Sequence, residues 1–266
     1  MLIRITSKDN SRTKLVRKLR TRKGRTEERR FVAEGRNLIS EIIDRGLEVD
    51  FVMVPESLLD ETGSDIPEMI RTCAGSPDMT LCAVSDREFA RLTDAGDGIG
   101  MLAVVRMQDR GEEVLRELSP EDNILVLDRI QDPGNLGTMI RTAAAAGYGA
   151  VIAMSGTADI YSPKVLRATA GMVFAIPVIY ADDASALRGM TGARRIAVTA
   201  VEGGRPYYEE DLRESVALVI GNEGRGVSKE MLDMADVKVT LPMEGNVESL
   251  NAAVAAAILM YETVRK

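Results

Sequence analysis

The sequence predicts an α/β protein in two parts: a small N-terminal α/β domain, then a larger domain whose mostly parallel sheet is covered by helices on both faces. Three observations predict this. Residues 124–127 and 216–220 are unbroken runs of Ile, Leu, Val and Ala, as expected of strands buried on both faces of a parallel sheet. Strand-like and helix-like segments alternate along most of the chain. A length of 266 residues with 45% hydrophobic content suits about two domains with sizeable cores.

The chain opens on charge. Residues 1–36 hold thirteen Lys or Arg against four Asp or Glu, a local balance of +9 that leaves −16 for the rest of a chain whose net charge is −7. The crowding of Arg12, Lys14, Arg17, Lys18, Arg20, Arg22, Lys23 and Arg25 reads as a surface for phosphate contact. The alternative is a solvated basic helix whose Leu15, Val16 and Leu19 pack inward, and both readings can hold together. Residues 30–33 read as a short strand. Leu38, Ile39, Ile42 and Ile43 then recur at helical spacing until Gly46 stops them. Strands are expected at 49–54, 79–84 and 101–107, and helices at 66–74 and 85–92, the latter capped by Ser85. The polar stretch 108–121, with Ser119-Pro120 near its end, is the expected linker between domains at 1–107 and 122–266. Beyond it, strands are expected at 123–128, 149–154, 195–201, 216–221 and 237–241, with helices between most of them. A ligand then belongs at the carboxyl ends of these strands.

Composition removes several chemistries. No apolar run approaches the roughly 20 residues of a membrane-spanning helix, and the N-terminus is basic rather than apolar, so neither a membrane span nor a secretory signal is expected. Only Cys73 and Cys82 occur, and there is no histidine. That excludes a His-dependent triad and a Cys/His zinc site, makes a disulfide scaffold unexpected, and suits a reducing cytoplasm. No carboxylate pair is placed for magnesium, so no metal is expected.

Polar and glycine positions concentrate in three stretches. In 124–142, ILVLDRIQDPGNLGTMIRT, Asp132, Pro133 and Gly134 make a turn, Asn135 suits a helix N-cap, and 136–146 forms a helix closed by Gly147. Arg141 lies six residues past Asn135 and, taken alone, is a solvated helix arginine. In 216–228, VALVIGNEGRGVS, Gly221, Gly224 and Gly226 directly follow a buried strand, where missing side chains let a ligand approach the backbone. Their spacing is not the dinucleotide fingerprint, and no phosphate-loop motif occurs. Asn222 and Glu223 are either turn residues or site residues. In 241–261, LPMEGNVESLNAAVAAAILMY, the segment from Leu250 onward is almost wholly apolar, so its helix should lie between other elements or at a subunit interface. Glu248, Ser249 and Asn251 at its first turn either cap it or hold a ligand near its free N–H groups. A fourth stretch, 159–171, DIYSPKVLRATAG, starts a helix at Pro163. Its Lys164 and Arg167 share a face, as plain surface charge or as a phosphate clamp.

The set P-G-N-x-G-x-x-x-R-T, I-G-N-E-G-x-G and P-M-x-G-x-V-E-S-L-N, in this order, resembles the three motifs of the SpoU (TrmH-like) RNA ribose 2'-O-methyltransferases over residues 122–264. The Ser-Pro-Lys and Arg-Ala-Thr-Ala-Gly of 159–171 match the segment between the first two motifs. Residues 1–105 are similar to the substrate-binding domain that often precedes them. The resemblance implies an L30e-like N-terminal domain, a C-terminal trefoil knot, a homodimer, and methyl transfer from S-adenosylmethionine to a ribose 2'-hydroxyl of structured RNA. Ribosomal RNA stands first; transfer RNA, or a non-catalytic RNA-binding factor of the same fold, are the alternatives. The implied cofactor pocket is Gly221, Asn222, Gly224, Leu241, Met243, Ser249 and Leu250. The implied catalytic residues are Asn135, Arg141, Glu223, Ser249 and Asn251. In the family the arginine matching Arg141 is associated with the reacting hydroxyl. A guanidinium with a pKa above about 12 is a poor base, and holding a phosphate or stabilising a developing alkoxide is easier for it. RNA contacts are implied for Lys164 and Arg167 beside Arg12, Lys14, Arg17, Lys18, Arg20 and Arg22, with no metal and no membrane involved.

Overall fold

The computed structural model describes residues 1–7, 9–59, 79–93, 100–108, 111–213, 215–245 and 249–266. The helix expected at 66–74, Cys73 and Glu248 lie outside the described residues. Two compact units emerge: Met1–Gln108 with Tyr161–Gly171, and Asp109–Ile160 with Met172–Lys266.

Among the described residues, the first unit is built on five strands, β1 (Leu2–Ile5), β2 (Arg30–Glu34), β3 (Val49–Pro55), β4 (Leu81–Val84) and β5 (Leu102–Arg106), in the order β1-β4-β3-β5-β2. The first three neighbours run parallel, and β5 is antiparallel to both β3 and β2. Four of these strands coincide with the expected ones. β1 does not: Leu2–Ile5 was hidden inside the basic segment, where charge masks a short apolar alternation.

That basic segment is no loose arm. It folds into the helices Ser11–Lys18, capped by Asn10, and Arg22–Glu28, capped by Thr21. Val16 and Leu19 are buried in the core with Phe51, Met53, Phe89 and Leu92, so the inward-packing reading is realised. The close approach of the two helices demands Gly24 in the first turn of the second, where an added Cβ would lie 2.0 Å from the Lys18 carbonyl oxygen. Ser85 stands at the N-cap of Asp86–Leu92 but makes no side-chain capping bond. The helix Pro163–Thr169 belongs to this unit too, with Tyr161 stacked on Phe31 at 4.9 Å between ring centroids.

Among the described residues, the second unit holds seven parallel strands: β6 (Ile124–Asp128), β7 (Ala150–Met154), β8 (Val178–Ala181), β9 (Arg195–Thr199), β10 (Arg205–Pro206), β11 (Val216–Gly221) and β12 (Val237–Thr240). Their order is β10-β12-β9-β11-β6-β7-β8, and every pairing is parallel. The expected strands are present; β8 and β10 were missed, the latter because two residues carry no pattern. Ile124, Val126, Ala217 and Val219 face one layer with Leu187, Met190 and Met231. The alternate positions Leu125, Leu127 and Leu218 are buried on the other face, where the helices Pro133–Ala145 and Ala252–Thr263 pack against each other. The expected linker contains one short helix, Glu113–Glu117.

A buried polar network ties the final helix to the strand starts. The Tyr148 hydroxyl meets Thr263 Oγ1 at 2.8 Å, Asn123 Nδ2 donates to the same oxygen at 3.2 Å, and Asn123 Oδ1 accepts from Val216 N at 2.9 Å. Burial pushes the Tyr148 phenol well above its ordinary value, keeping it a neutral donor. Beside it the buried Arg194 guanidinium donates to the carbonyls of Asp122, Ser119 and Thr191, fastening the linker's end to β9.

Candidate active site

The chain enters the second unit's sheet at β6, steps outward to β7 and β8, crosses to β9, and returns with β11 between β9 and β6. The order therefore reverses at the β6–β11 pair, where a crevice at the carboxyl ends is expected in an open parallel sheet. Gly221 and Asp128 end these strands as register partners, and the loops that follow them carry the first two motifs.

The first helix begins earlier than the sequence suggested. Asp132, not Asn135, is the N-cap: its Oδ1 accepts from Asn135 N at 2.8 Å, and Pro133 occupies the first turn. A carboxylate at the cap leaves the Asn135 side chain for tertiary contacts. Asn135 Nδ2 donates to Glu223 Oε1 at 3.1 Å, and Asn135 Oδ1 accepts from Asn251 Nδ2 at 2.9 Å. Of the two roles the sequence left open for Asn251, the cap is realised, its Oδ1 accepting from Ala253 N and Val254 N. Three side chains 88 and 116 residues apart in sequence thus join the three motifs.

Glu223 is the hub. Its carboxylate accepts from Asp132 N at 3.1 Å, Gln131 N at 3.2 Å and Asn222 Nδ2 at 3.4 Å, besides Asn135. Partial burial by itself would push this carboxyl up. The hydrogen bonds from its own backbone, Asn135, Asp132 and Gln131 outweigh burial and hold it below the usual carboxylate range. A carboxylate so held is a weak base and a firm anchor.

The second motif forms a tight hairpin turn. Asn222 and Gly226 exchange backbone hydrogen bonds, and Asn222 Oδ1 accepts from Gly224 N and Arg225 N at 3.0 Å each. Asn222 therefore acts as a turn residue. Gly221 is required by the turn itself, since an added Cβ would lie 2.3 Å from Val227 N. The space the sequence suggested for a ligand is filled at this position by the chain's own backbone. Gly224 is open, with nothing nearer than 3.9 Å to such a Cβ.

Beyond β12, Met243 and Leu250 expose apolar side chains at 36% and 38%, with Leu241 half-buried and Ser249 exposed. Exposed apolar groups at the carboxyl edge of the sheet, with polar groups near them, offer a surface for a partly apolar small molecule. Ser249 makes no hydrogen bond among the described residues. Arg141 lies on the helix Pro133–Ala145, exposed and without a hydrogen bond or ion pair among the described residues. Six residues past Asn135 is roughly 120° around the helix, so Arg141 does not join the Asn135–Glu223–Asn251 cluster.

In the first unit, Arg167 Nη1 pairs with the buried Glu34 carboxylate at 3.2 Å while Lys164 is exposed. Several cations of the basic helices have intramolecular partners: Arg12 lies over the Phe51 ring, Lys14 pairs with Asp9, Arg17 with Glu88, and Lys18 with Glu27 and Glu28. Arg20 and Arg22 are exposed. Cys82 is buried, and burial pushes its thiol up, so it offers no ready nucleophile.

Sequence reasoning passed over two residues of this edge, Asp128 and Arg129. The Asp128 carboxylate, 2% exposed as a residue, accepts from Ser228 N at 2.6 Å and from Arg129 Nε at 3.0 Å. Arg129 has φ +59, a left-handed conformation costing a non-glycine residue about 1 kcal/mol or more. The available signal was a charged pair ending an apolar run, ILVLDR. Topology also brings the loop after β9 to the same edge, beside those after β11 and β12.

Comparison with known proteins agrees with this architecture. Residues 122–261 match the SpoU rRNA Methylase family, and residues 10–103 match the MRM3-like substrate binding domain. The chain is 37% identical over 263 residues to the 23S rRNA (guanosine(2553)-2'-O)-methyltransferase RlmP of Bacillus subtilis, covering 97% of each. Its structure is similar to an AdoMet-bound rRNA methyltransferase from Sinorhizobium meliloti (TM-score 0.85, 30% identity, 99% and 98% of the two chains). It is also similar to the SpoU methyltransferase AviRb from Streptomyces viridochromogenes in complex with AdoMet (TM-score 0.83, 28% identity, 96% and 97%).

Proposed function

Because the chain belongs to the SpoU rRNA methylase family, we propose that it is an S-adenosylmethionine-dependent methyltransferase acting on a ribose 2'-hydroxyl of ribosomal RNA. The observation that carries this reading is the Glu223–Asn135–Asn251 chain, which draws all three motif loops to one carboxyl edge of the parallel sheet.

Gly224, Leu241, Met243, Ser249 and Leu250 would hold S-adenosylmethionine, with Gly221 and Asn222 shaping the turn that abuts it. The bound cofactor supplies an activated methyl group on a sulfonium. The protein's task is then alignment of the RNA hydroxyl with that methyl, and catalysis by position and charge. Glu223, held ionised by its donors, keeps the Asn135 amide and the first motif's loop in place rather than removing a proton. Arg141, a cation with no partner among the described residues, suits a phosphate or the developing alkoxide. RNA recognition is assigned to residues 1–107, joined through 108–121 to the catalytic residues 122–266, and to the Tyr161–Gly171 segment that folds with them; the exposed Arg22 and Lys164 are its first candidates.

The same reading includes a cytoplasmic homodimer with a trefoil knot. In its favour, the final helix packs on Pro133–Ala145 and β11 with one face and presents Val254, Ile258 and Tyr261 on the other, at 49%, 37% and 55% exposure. Apolar residues spaced by four and three along a helix form one stripe, which suits an isologous partner. Arg141 standing apart from its own chain's cluster suits a site completed by that partner.

The test is direct. Calorimetry without added metal should register S-adenosylmethionine binding, and incubation with unmodified 23S rRNA transcribed in vitro should yield a 2'-O-methylated nucleotide. Binding that requires a divalent ion, or transfer to a base instead of a ribose, would overturn the reading.

A further inference from the structure

The loop after β6 carries a cation that the reaction as described does not use. Arg129 occupies a left-handed backbone position, φ +59, where glycine is less strained, so its side chain is retained against a backbone cost. The end of its own strand and two neighbouring loops fix it. Asp128, with its side chain 3% exposed, accepts from Arg129 Nε at 3.0 Å and from Ser228 N at 2.6 Å. The turn after β7 admits the arginine stem beside Gly156, where an added Cβ would come within 3.1 Å of Arg129 Cγ. The Arg129 carbonyl accepts from Asn222 Nδ2 at 2.8 Å, one residue from Glu223.

The result is a guanidinium held at Nε while its Nη1 and Nη2 groups have no partner among the described residues, on a side chain 37% exposed. A planar fork anchored at one edge and open at the other suits bidentate capture of an oxyanion. Two oxyanions come into question, a phosphate of the substrate and the carboxylate of the cofactor. In the strand order β12-β9-β11-β6-β7, β6 lies three strands from β12, about 14 Å at the usual strand spacing, and borders the β11 turn that carries Gly224, so the fork stands at the rim of the assigned cofactor pocket on the side away from Met243.

We propose that Arg129, braced by Asp128, is a substrate-binding residue that holds a backbone phosphate of the RNA beside the nucleotide being methylated. The inference rests on the methyltransferase reading above and adds to it where the substrate is gripped. Arg129→Gly keeps the left-handed turn and removes only the fork. With the 23S rRNA transcript this variant should raise the RNA KM roughly tenfold or more, leave kcat near wild type at saturating RNA, and leave S-adenosylmethionine affinity unchanged. The slope of log binding constant against log salt should shrink by about 0.7–0.9, one phosphate's share. Because the single variant strands the buried Asp128, the double variant Asp128→Asn/Arg129→Gly is measured beside it; the KM and salt effects should persist while stability returns.

Unchanged KM and salt slope, with only a stability loss that Asp128→Asn repairs, would make Arg129 the counter-ion of Asp128 and overturn the proposal. Lost cofactor affinity with unchanged RNA KM would overturn it too, assigning the fork to the cofactor's carboxylate. If wild-type protein methylates no RNA, the enzyme reading fails, while the salt slope of RNA binding still decides the phosphate contact.

Discussion

At Glu223 a single carboxylate does the joining that the motif order alone could not explain. Its two oxygens collect four donors from the loops after β6 and β11, and this holds its folded-state pKa below the ordinary 4.5. A group whose pKa is depressed on folding stabilises the fold above its unfolded value and loses that contribution as pH falls through the folded one. Wild-type melting temperature should therefore drop on acidification below about pH 4.5. Glu223→Gln, which cannot titrate and turns an amide toward backbone donors, should start about 1–2 kcal/mol lower at neutral pH and show a flatter acid limb. The carboxylate is part-exposed, which favours the smaller figure. Parallel acid limbs in pH-resolved melts of the two proteins would remove Glu223 from its role as anchor.

Among the elements, the helix Ala252–Thr263 is the most telling, because it is nearly all apolar and yet depends on polar atoms at both ends. Asn251 secures its start to Asn135, and Thr263 secures its last turn to Tyr148 and Asn123. Thr263→Val preserves volume and removes the acceptor that Tyr148 and Asn123 share. A buried donor left without a partner costs about 1–3 kcal/mol. The denaturant midpoint should fall accordingly with little change in slope, as followed by circular dichroism. A loss below about 0.5 kcal/mol, the level of ordinary surface substitutions, would mean that water or a shifted side chain replaces the hydroxyl.

For the whole molecule, the proposal to test is a site shared between two copies. Arg141→Ala and Asn251→Ala should each be folded, dimeric and nearly inactive. Co-expressed, a mixed dimer would contain one site with both lesions and one with none, so random pairing restores about a quarter of wild-type activity. If Arg141 and Asn251 serve the same chain's site, every site in the mixed dimer keeps one lesion and nothing returns. Activity near zero in a preparation shown to contain mixed dimers would defeat the shared site.

The sequence by itself determined the elements whose pattern is local. The apolar runs at β6 and β11, the glycine turn at 221–226 and the apolar final helix all follow from residue type and spacing. So did the inward packing of Val16 and Leu19 within a basic stretch. The short strands β1, β8 and β10 escaped, the last because two residues cannot establish a period. The tertiary structure alone decided partners. Asn135 reads locally as a helix cap, but the cap is Asp132, and Asn135 instead bridges Glu223 and Asn251 once the strand order lays three distant loops side by side. Arg167 reads as a surface cation until Glu34 is found buried against it. The left-handed turn at Arg129 is invisible in its residue type, because only the fold's closure forces a non-glycine residue to bear that strain. Periodicity records which side of an element is buried; which side chains meet across the sheet is set by topology, which no local pattern encodes.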